Sequence, residues 1–472
     1  MKTENDMQFE RKLDLKLILS ILAAGIMTFG GILEETAMNI AFPTVMEEFG
    51  ITLSYAQWIT TGYLIAVVVM MPTTSFFKKR MKMRNIFIMT CAAFLVGLVL
   101  CYAAPQFIWI IVGRVIQGAA AGVAVPLMFN IVLEQTPYEH MGFAVGVATM
   151  TSALAPAFGP VYGGIVVQFS NWRMIFGFLI PVLIAALILG AFSIRQSSRL
   201  EKVGFDVPGF ILFAASLSCL IFGLNLPSVF GWKPYCFVLL AAAVILFILF
   251  AKAERHTSAP FLNLKVFRTR FYSLNAASIY CCCTICPTFC FILPNFLQVT
   301  RGESALDSAM VLFAGCIVGA AVNIFAGHLL DKKGPKVTIR PGAVLALAGV
   351  ILIAVFLAES HLAVLAFTFA VYMFGHGMCV GPNITLGMGS LPEELKPDGN
   401  AVVNMMQFLS GMVAMVISSG IISNAQLHGT TPAAGTLTGT MMSIFILIGV
   451  AAVLNLLENL ILFFRKHEAD PC

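Results

Sequence analysis

The chain has 472 residues, of which 59% are hydrophobic and only 11% are charged, and its mean hydropathy is +0.92. Soluble domains carry about 25% charged residues and need a polar surface, so this composition excludes a soluble protein. Lys and Arg collect in cytoplasmic loops of membrane proteins, and this explains the net charge of +5 better than nucleic-acid binding does. We therefore expect an all-α polytopic membrane protein.

Apolar segments follow one another along the whole chain, and each is close in length to the about 20 residues that a helix needs to cross a bilayer. The first 14 residues are polar, and the apolar stretch after them is too long for a cleavable signal peptide, which predicts a retained first span. We predict fourteen spans: 15–42, 55–77, 86–104, 107–133, 143–168, 172–193, 207–224, 234–251, 271–295, 305–330, 339–357, 362–387, 401–422 and 440–464.

Basic residues are concentrated in alternate loops. If the N-terminus is cytoplasmic, 24 of the 28 Lys and Arg residues face the cytoplasm. This asymmetry predicts an even number of spans, two cytoplasmic termini and a multi-pass protein of the cell membrane. Only Arg173, Lys233 and Arg301 remain outside, and Arg114 lies within a span.

The two halves of the chain resemble each other. Ser75–Arg80 after span 2 and Gly327–Lys332 after span 10 both lead into a basic loop. Many transporters are built from duplicated halves with a binding site between them. We predict a polar segment at 1–14, a six-helix bundle at 15–193, a linker at 194–206, accessory helices 7 and 8 at 207–251, a loop at 252–270, a second six-helix bundle at 271–464 and a tail at 465–472.

Span 1 contains two adjacent carboxylic acids, Glu34 and Glu35. Charged groups at membrane depth are costly, so they usually face a cavity or a partner and serve a function. Burial disfavours the charged form, which lets a carboxyl group bind and release protons near neutral pH. The alternative is a position at the rim, where both groups touch water.

The segment Leu33-Glu-Glu-Thr-Ala-Met-Asn-Ile-Ala-Phe-Pro43 resembles the span-1 motif Leu-Asp-x-Thr-x-x-Asn-x-Ala-x-Pro. That motif is typical of the fourteen-span drug:proton antiporters of the major facilitator superfamily. The resemblance implies that Glu34, at the acidic position, acts in proton coupling or binds cationic substrates. Glu35 falls at a variable position, and Asn39 matches the motif.

Span 4 contains a lone Arg114 in the segment Gly113-Arg-Val-Ile-Gln-Gly118. A lone Arg in a span needs a carboxylate, carbonyl groups or water as a partner. The segment resembles the family motif Arg-x-x-Gln-Gly, which implies a role for Arg114 and Gln117 in proton transfer. Glu34 is a candidate partner. The alternative is a static ion pair that holds spans 1 and 4 together.

Span 5 carries Gly159-Pro160-Val-Tyr-Gly163-Gly164, which resembles the antiporter motif Gly-Pro-x-x-Gly-Gly. Proline kinks a helix and small residues allow close packing, so we expect a hinge or a tight seam between the halves. Ordinary small-residue packing is the alternative interpretation.

The loop after span 10 matches the superfamily pattern Gly-x-Leu-x-Asp-Arg-x-Gly-Arg-Lys through Gly327, Asp331 and Gly334. We expect these residues to stabilise one conformation as a gate. In the first-half copy Lys79 replaces the Asp, so its basic run is explained mainly by topology.

Five polar residues of the second half are further candidates for the cavity. Asp307 starts span 10, where helix capping is an alternative role. His376 lies between glycines, and a lone His of this kind is more often a packing residue than a proton carrier. The candidates are Asp307, Asn323, His376, Asn404 and Gln407.

The resemblance implies two six-helix bundles plus two accessory helices, alternating access and proton-coupled export of lipophilic, often cationic compounds. The expected partners are protons, such compounds and membrane lipids, with no nucleic acid or nucleotide; the oligomeric state stays open, and a monomer is compatible with the sequence. No phosphate-binding loop, zinc spacing or nucleophile motif is apparent, so we expect no cofactor, no metal and no enzyme. A metabolite, peptide or lipid exporter of the same fold, a channel and a membrane-embedded enzyme are the alternatives.

Overall fold

The structure is a computed structural model that describes residues 14–137, 141–196, 200, 204–230, 233–257, 260–358 and 361–469. In lipid every backbone polar group must be paired within the segment, and the described residues form helices with no strand. The helices are α1 Leu15–Phe49, α2 Leu53–Ala56, α3 Trp58–Met70, α4 Thr73–Arg80, α5 Met83–Tyr102, α6 Phe107–Gln135, α7 Met141–Phe169, α8 Met174–Gly177, α9 Leu179–Ser193, α10 Val207–Phe230, α11 Pro234–His256, α12 Arg270–Arg301, α13 Ala305–Lys333, α14 Ile339–Phe356, α15 Leu362–Gly389, α16 Lys396–His428 and α17 Pro432–Ala469.

Twelve of the described helices are long and apolar enough to cross a membrane, or thirteen if the bent pair α3 and α4 is one span. Helix α7 enters this test only through its shorter apolar part, Leu154–Phe169. The membrane-spanning helical class is therefore confirmed, and the count of fourteen stays a prediction.

The second predicted span, 55–77, is broken in the structure. Helices α3 and α4 meet at a bend of 50°. Pro72 lies at the break, and proline lacks the backbone donor that would continue the helical hydrogen bonds. Helix α1, in contrast, continues past residue 42 to Phe49, where Gly50 adopts a left-handed φ of 62° that ends it.

The helices pack as two bundles that contact each other mainly through α7 and α13. Helices α1 to α9 pack among themselves, as do α12 to α17, and the accessory helices α10 and α11 pack against each other. Helix α7 joins the bundles by packing on both α1 and α13, and α16 contacts α3 and α10. This arrangement places α1, α7 and α13 side by side at the junction of the halves.

One end of the bundle, where α1 begins and α17 approaches its end, is called the basic end below. Asp14 caps α1 there by accepting from the Leu17 N–H, and this bond, with Arg195 nearby, lowers the pKa of Asp14. The contacts at this end include Asp14 with Arg195 at 2.5 Å, Lys78 with Glu134, and Arg270 over the Phe464 ring at 3.9 Å.

Helices α14 and α15 cross at glycines. A Cβ added to Gly349 would lie 2.5 Å from the Tyr372 Cα, and one added to Gly375 would lie 2.8 Å from the Ala346 Cα. Distances this short to backbone atoms leave no room for a methyl group, so the small residues set how closely the two helices approach.

Replacing Gly349 by Ala is therefore expected to separate α14 from α15 and lower the thermal unfolding midpoint of the purified protein. Overpacking of this kind costs about 1–3 kcal/mol. The matched control is Gly449→Ala in α17, because nothing lies within 4 Å of its added Cβ. Equal midpoints for the two variants would contradict the close crossing.

Candidate functional site

Glu34 of α1 and Arg114 of α6 form an ion pair inside the first bundle. The Arg114 Nη1 lies 2.6 Å from the Glu34 Oε1, and both side chains are 0% exposed. The two residues are 80 positions apart in sequence, and the structure brings them into contact. The sequence left the partner of Arg114 open, and the structure pairs it with the acid of the span-1 motif.

Three further groups hold the Arg114 guanidinium. Its Nε donates to the Ile59 carbonyl at 3.0 Å, and its Nη1 donates to the Gln117 Oε1 at 3.2 Å. The guanidinium also lies 4.2 Å from the centre of the Tyr63 ring, a favourable cation–π distance, and the Tyr63 hydroxyl donates to the Gly31 carbonyl. Arg114 is therefore fixed by α3 and α6 and presents one nitrogen to α1.

The pair leaves several polar atoms unused. The Glu34 Oε2, the Arg114 Nη2 and the Gln117 Nε2 are buried and have no hydrogen-bond partner among the described residues. A two-point pairing of carboxylate and guanidinium is stronger and more specific than a single contact. The pair is thus a single contact with buried, unpaired polar atoms on both of its side chains.

Glu35 points to a different environment from its neighbour. It is half-buried and lies within electrostatic range of Arg114 and Glu34, and also of Cys290 in α12 of the second bundle. Successive helical residues are about 100° apart around the axis, which turns the two carboxyl groups in different directions. Glu34 thus lies within the first bundle, whereas Glu35 lies at the junction of the halves.

Asn39, one turn after Glu35, is half-buried and contacts α3. Its Oδ1 accepts a hydrogen bond from the Thr60 hydroxyl at 3.2 Å. This bond ties α1 to α3 near Ile59, whose carbonyl holds Arg114. Asn39 is therefore positioned to support the acid–arginine pair.

The small residues of α7 contact both neighbouring helices. Cβ atoms added to Gly159 and Gly163 would lie 2.7 Å from the Leu33 carbonyl oxygen and 2.6 Å from that of Ala37, both in α1. One added to Gly164 would lie 3.2 Å from the Leu306 Cα in α13. Pro160 lies buried between them. The motif thus forms a seam at the level of the acids, where α1, α7 and α13 meet.

Aromatic rings extend this seam across the halves. The Phe158 ring lies 6.4 Å from that of Phe29 in α1 and 5.4 Å from that of Phe313 in α13. Phe158 is 41% exposed although it precedes the tightly packed Gly159. The junction therefore carries a partly exposed aromatic ring beside the close contact of α7 with α1.

The predicted gating residues Gly327, Asp331 and Gly334 lie at the end of α13 and directly after it. Gly334 ends α13 with a φ of 75°, a value that favours glycine, and its N–H donates to the Leu330 carbonyl. Nothing lies within 4 Å of a Cβ added to Gly327. The side chain of Asp331 lies outside the described residues.

The five polar candidates of the second half do not converge on one point. Asp307 is exposed in the first turn of α13; its N–H donates to Ser304, the residue that caps this helix, and its carboxylate accepts from the Ser304 hydroxyl. Asn323 packs beside Gly381, and His376 lies 5.9 Å from the Tyr372 ring. Asn404 donates to the Asn400 carbonyl of its own helix, whereas Gln407 accepts from the Cys283 thiol of α12 at 3.9 Å.

Two buried or paired acids, Glu458 and Glu48, lie outside the motifs of the sequence. Glu458 in α17 is 0% exposed and accepts from Ser278 and Asn383. The signal for Glu458 was an acid within the apolar run of the last span.

Glu48 fixes the end of α1 against the start of α8. Its carboxylate accepts from the Trp172 indole at 2.6 Å and pairs with Arg173. These residues are far apart in sequence, and no local pattern links them.

The ion pair predicts strong coupling between its two partners. Removing either charge alone leaves the other buried and unpaired, which typically costs 3–5 kcal/mol. We expect Glu34→Gln and Arg114→Gln each to lower the thermal unfolding midpoint, and the double variant to lower it by much less than the sum. Additive effects would contradict a direct interaction.

Comparison with known proteins finds relatives that are named as drug-resistance proteins and a transporter with the same fold. The chain is 28% identical over 415 residues to the lincomycin resistance protein LmrB of Bacillus subtilis, covering 87% of this chain and 86% of that protein. It is 24% identical over 396 residues to a multidrug resistance protein B homolog of Mycobacterium tuberculosis, covering 83% and 73%. The human organic anion transporter MFSD10 shares the fold, with a TM-score of 0.65 at 13% identity over 94% of this chain and 99% of that one.

The family model of the Major Facilitator Superfamily matches residues 24–415, a range that includes all but the first nine residues of α1, the whole of α7 and α13, and the Glu34–Arg114 site. Members of this family are transporters, and this agrees with the resemblance found in the span-1, span-4 and span-5 motifs. The chain belongs to the major facilitator superfamily and is a multi-pass membrane transporter, not an enzyme.

Proposed function

We propose that the chain is a proton-coupled antiporter that exports lipophilic, often cationic, drug-like compounds by alternating access. The observation that carries this proposal is the buried Glu34–Arg114 pair at 2.6 Å, with Glu35 beside it at the junction of the halves. Ionisable groups at membrane depth are costly and are typical of proton pathways and substrate sites.

The proposed coupling step is a proton transfer to Glu34. While Glu34 is charged, its attraction to Arg114 holds α1 against α6. A proton arriving at the unpaired Glu34 Oε2 neutralises the carboxylate, so the ion pair is lost and Arg114 keeps only Ile59, Gln117 and the Tyr63 ring. The proton thereby favours a different packing of α1, and its release restores the pair.

The driving force is the proton gradient. Moving one elementary charge across the membrane potential supplies about 2.3 kcal/mol per 100 mV, to which the pH difference adds. We propose that the basic end faces the cytoplasm, since its Lys and Arg residues follow the positive-inside rule in the cell membrane, with both chain termini on that side. Substrate then enters from the cytoplasm or inner leaflet, and protons enter from outside.

The proposed substrate site is the junction between the halves. Glu35 attracts positive charge there, and the exposed Phe158 offers a ring face to lipophilic groups. The names of the relatives, lincomycin resistance and multidrug resistance, support the choice of drug-like compounds and make lincomycin the first compound to test. Competition with metabolites, peptides and lipids separates this proposal from a dedicated exporter of the same fold.

Changing Glu34 to Gln is expected to abolish uphill transport of a cationic dye into inside-out membrane vesicles with an acidic lumen. The amide keeps the shape and one acceptor but cannot exchange a proton. The matched control is Glu394→Gln, since Glu394 is an exposed acid outside the site. The initial rate of dye uptake is the measurement, normalised to folded protein.

The outcome for Arg114→Lys separates the coupling role from a static one. Lysine keeps the charge but loses the Nε bond to Ile59 and the planar contact with Tyr63. A coupling role predicts folded protein with uncoupled or slow transport. Normal transport per folded molecule, with only a lower yield, would leave the pair as a static support.

We propose further that α7 moves against α13 during the cycle, with Gly164 at the contact. Gly164→Val adds branched carbon atoms where the Leu306 Cα already lies 3.2 Å from the Cβ position, so transport is expected to fall strongly while the protein stays folded. Gly164→Ala is the matched control, with a smaller loss. Wild-type rates in the Val variant would exclude this seam from the moving parts.

A further inference from the structure

A second buried carboxyl group lies in the other half of the molecule. Glu458 of α17 is 0% exposed, and its Oε1 accepts from the Ser278 hydroxyl of α12 at 2.5 Å and from the Asn383 Nδ2 of α15 at 2.6 Å. The Asn383 Nδ2 also reaches the Ser278 oxygen at 3.2 Å. Three helices of the second bundle thus place three fully buried polar side chains on one point.

This cluster differs from the Glu34 site because it has no cation. Among the described residues no Lys, Arg or His pairs with Glu458. The titratable groups within its electrostatic range are thiols, Cys281 and Cys282 from α12 and Cys379 from α15. A bare carboxylate in such surroundings costs several kcal/mol, since neither water nor a positive charge compensates it.

Two buried oxygen atoms of this cluster lack a hydrogen-bond donor in the described part of the chain. The Glu458 Oε2 and the Asn383 Oδ1 are both buried acceptors without a partner among the described residues. A proton on Oε2 removes the charge and turns this oxygen into a donor, while Oε1 keeps its two bonds. A neutral carboxylic acid therefore fits the cluster better than a carboxylate.

The position along the helices separates Glu458 from Glu34. Glu458 precedes Phe464, which Arg270 covers at the basic end, by six residues, or about 9 Å at 1.5 Å per residue. Glu34 lies 19 residues into α1, or about 28 Å from the same end. The buried Asn275, three residues before Ser278, continues the polar row towards the basic end, and its Oδ1 is also unpaired.

We propose that Glu458, oriented by Ser278 and Asn383, is a second proton-carrying site that exchanges its proton with water at the basic end. In this step the Oε2–H bond breaks, a water molecule takes the proton as hydronium, and the carboxylate left behind is stabilised by the two donors on Oε1. The inference rests on the proposed proton antiport and adds a second proton to each cycle, carried by the half that lacks the Glu34–Arg114 pair.

The first test detects the proton directly and needs no transport. Infrared spectra of purified protein are recorded against pH for the wild type, Glu458→Gln and Glu34→Gln. We expect a carboxylic-acid carbonyl band that titrates in the wild type, persists in Glu34→Gln and is lost in Glu458→Gln. A spectrum unchanged by Glu458→Gln would overturn the proposal, as would loss of this band in Glu34→Gln alone.

A further variant covers the case in which Glu458→Gln does not fold. Asn383→Ala keeps the acid but removes one donor from its carbonyl oxygen, so the same band is expected at higher frequency. An unshifted band would mean that the proton-bearing acid lies elsewhere, which contradicts the assignment.

The second test counts protons released when lincomycin or a cationic dye binds in weakly buffered detergent solution. We expect Glu458→Gln to bind the compound but release one proton fewer than the wild type. An equal count would make Glu458 a static neutral acid and overturn the proposal.

A sodium site is the competing assignment. If the wild type has a higher unfolding midpoint in NaCl than in choline chloride, and Glu458→Gln loses this difference, the site binds Na⁺ and the proposal is contradicted. Failure of the antiport proposal is recognised separately, because the wild type then releases no proton on binding while the infrared band still titrates.

Discussion

The organisation of the first bundle depends on one electrostatic constraint, a carboxylate and a guanidinium enclosed together away from water. Glu34 and Arg114 are each 0% exposed, and neither forms a second ion pair among the described residues. In such a site the cost of desolvation nearly balances the attraction, so the pair adds little net stability, but breaking it is expensive. In the proposed cycle this pair serves as the switch, since a proton added to Glu34 would change which packing of α1 against α6 is favoured.

The small residues of α7 connect the acid-bearing part of α1 with the second half of the molecule. Gly159 and Gly163 bring α7 onto the acid-bearing part of α1, and Gly164 on the same helix meets α13. Because interiors are closely packed, a shift of α1 must be transmitted to its neighbours or resisted by them. Glu48, held by Trp172 and Arg173, fixes the far end of α1, so movement of α1 is expected near the acids and towards the basic end.

The sequence indicated the class and the leading site residues because both follow from local chemistry. Composition alone predicts membrane helices, and Glu34 and Arg114 are conspicuous as charges within apolar runs. The contact between them joins helices 80 positions apart, which no local pattern reveals. The break at Pro72 and the place of Asp307 in the first turn of α13 follow from local chemistry, whereas the packing of α7 on both α1 and α13 depends on the three-dimensional structure. Glu458 was visible by the same rule that found Glu34, but it lies outside the motifs that the resemblance supplied.

The central claim is that proton movement and substrate movement are tied together in this chain. The most direct measurement uses purified wild-type protein in liposomes with equal concentrations of a cationic dye on both sides and an imposed pH gradient. Coupling predicts net movement of dye away from equal concentrations, towards the acidic side, and its collapse when an ionophore removes the gradient. Dye that stays equally distributed, with exchange at a rate indifferent to the pH gradient, would contradict the claim.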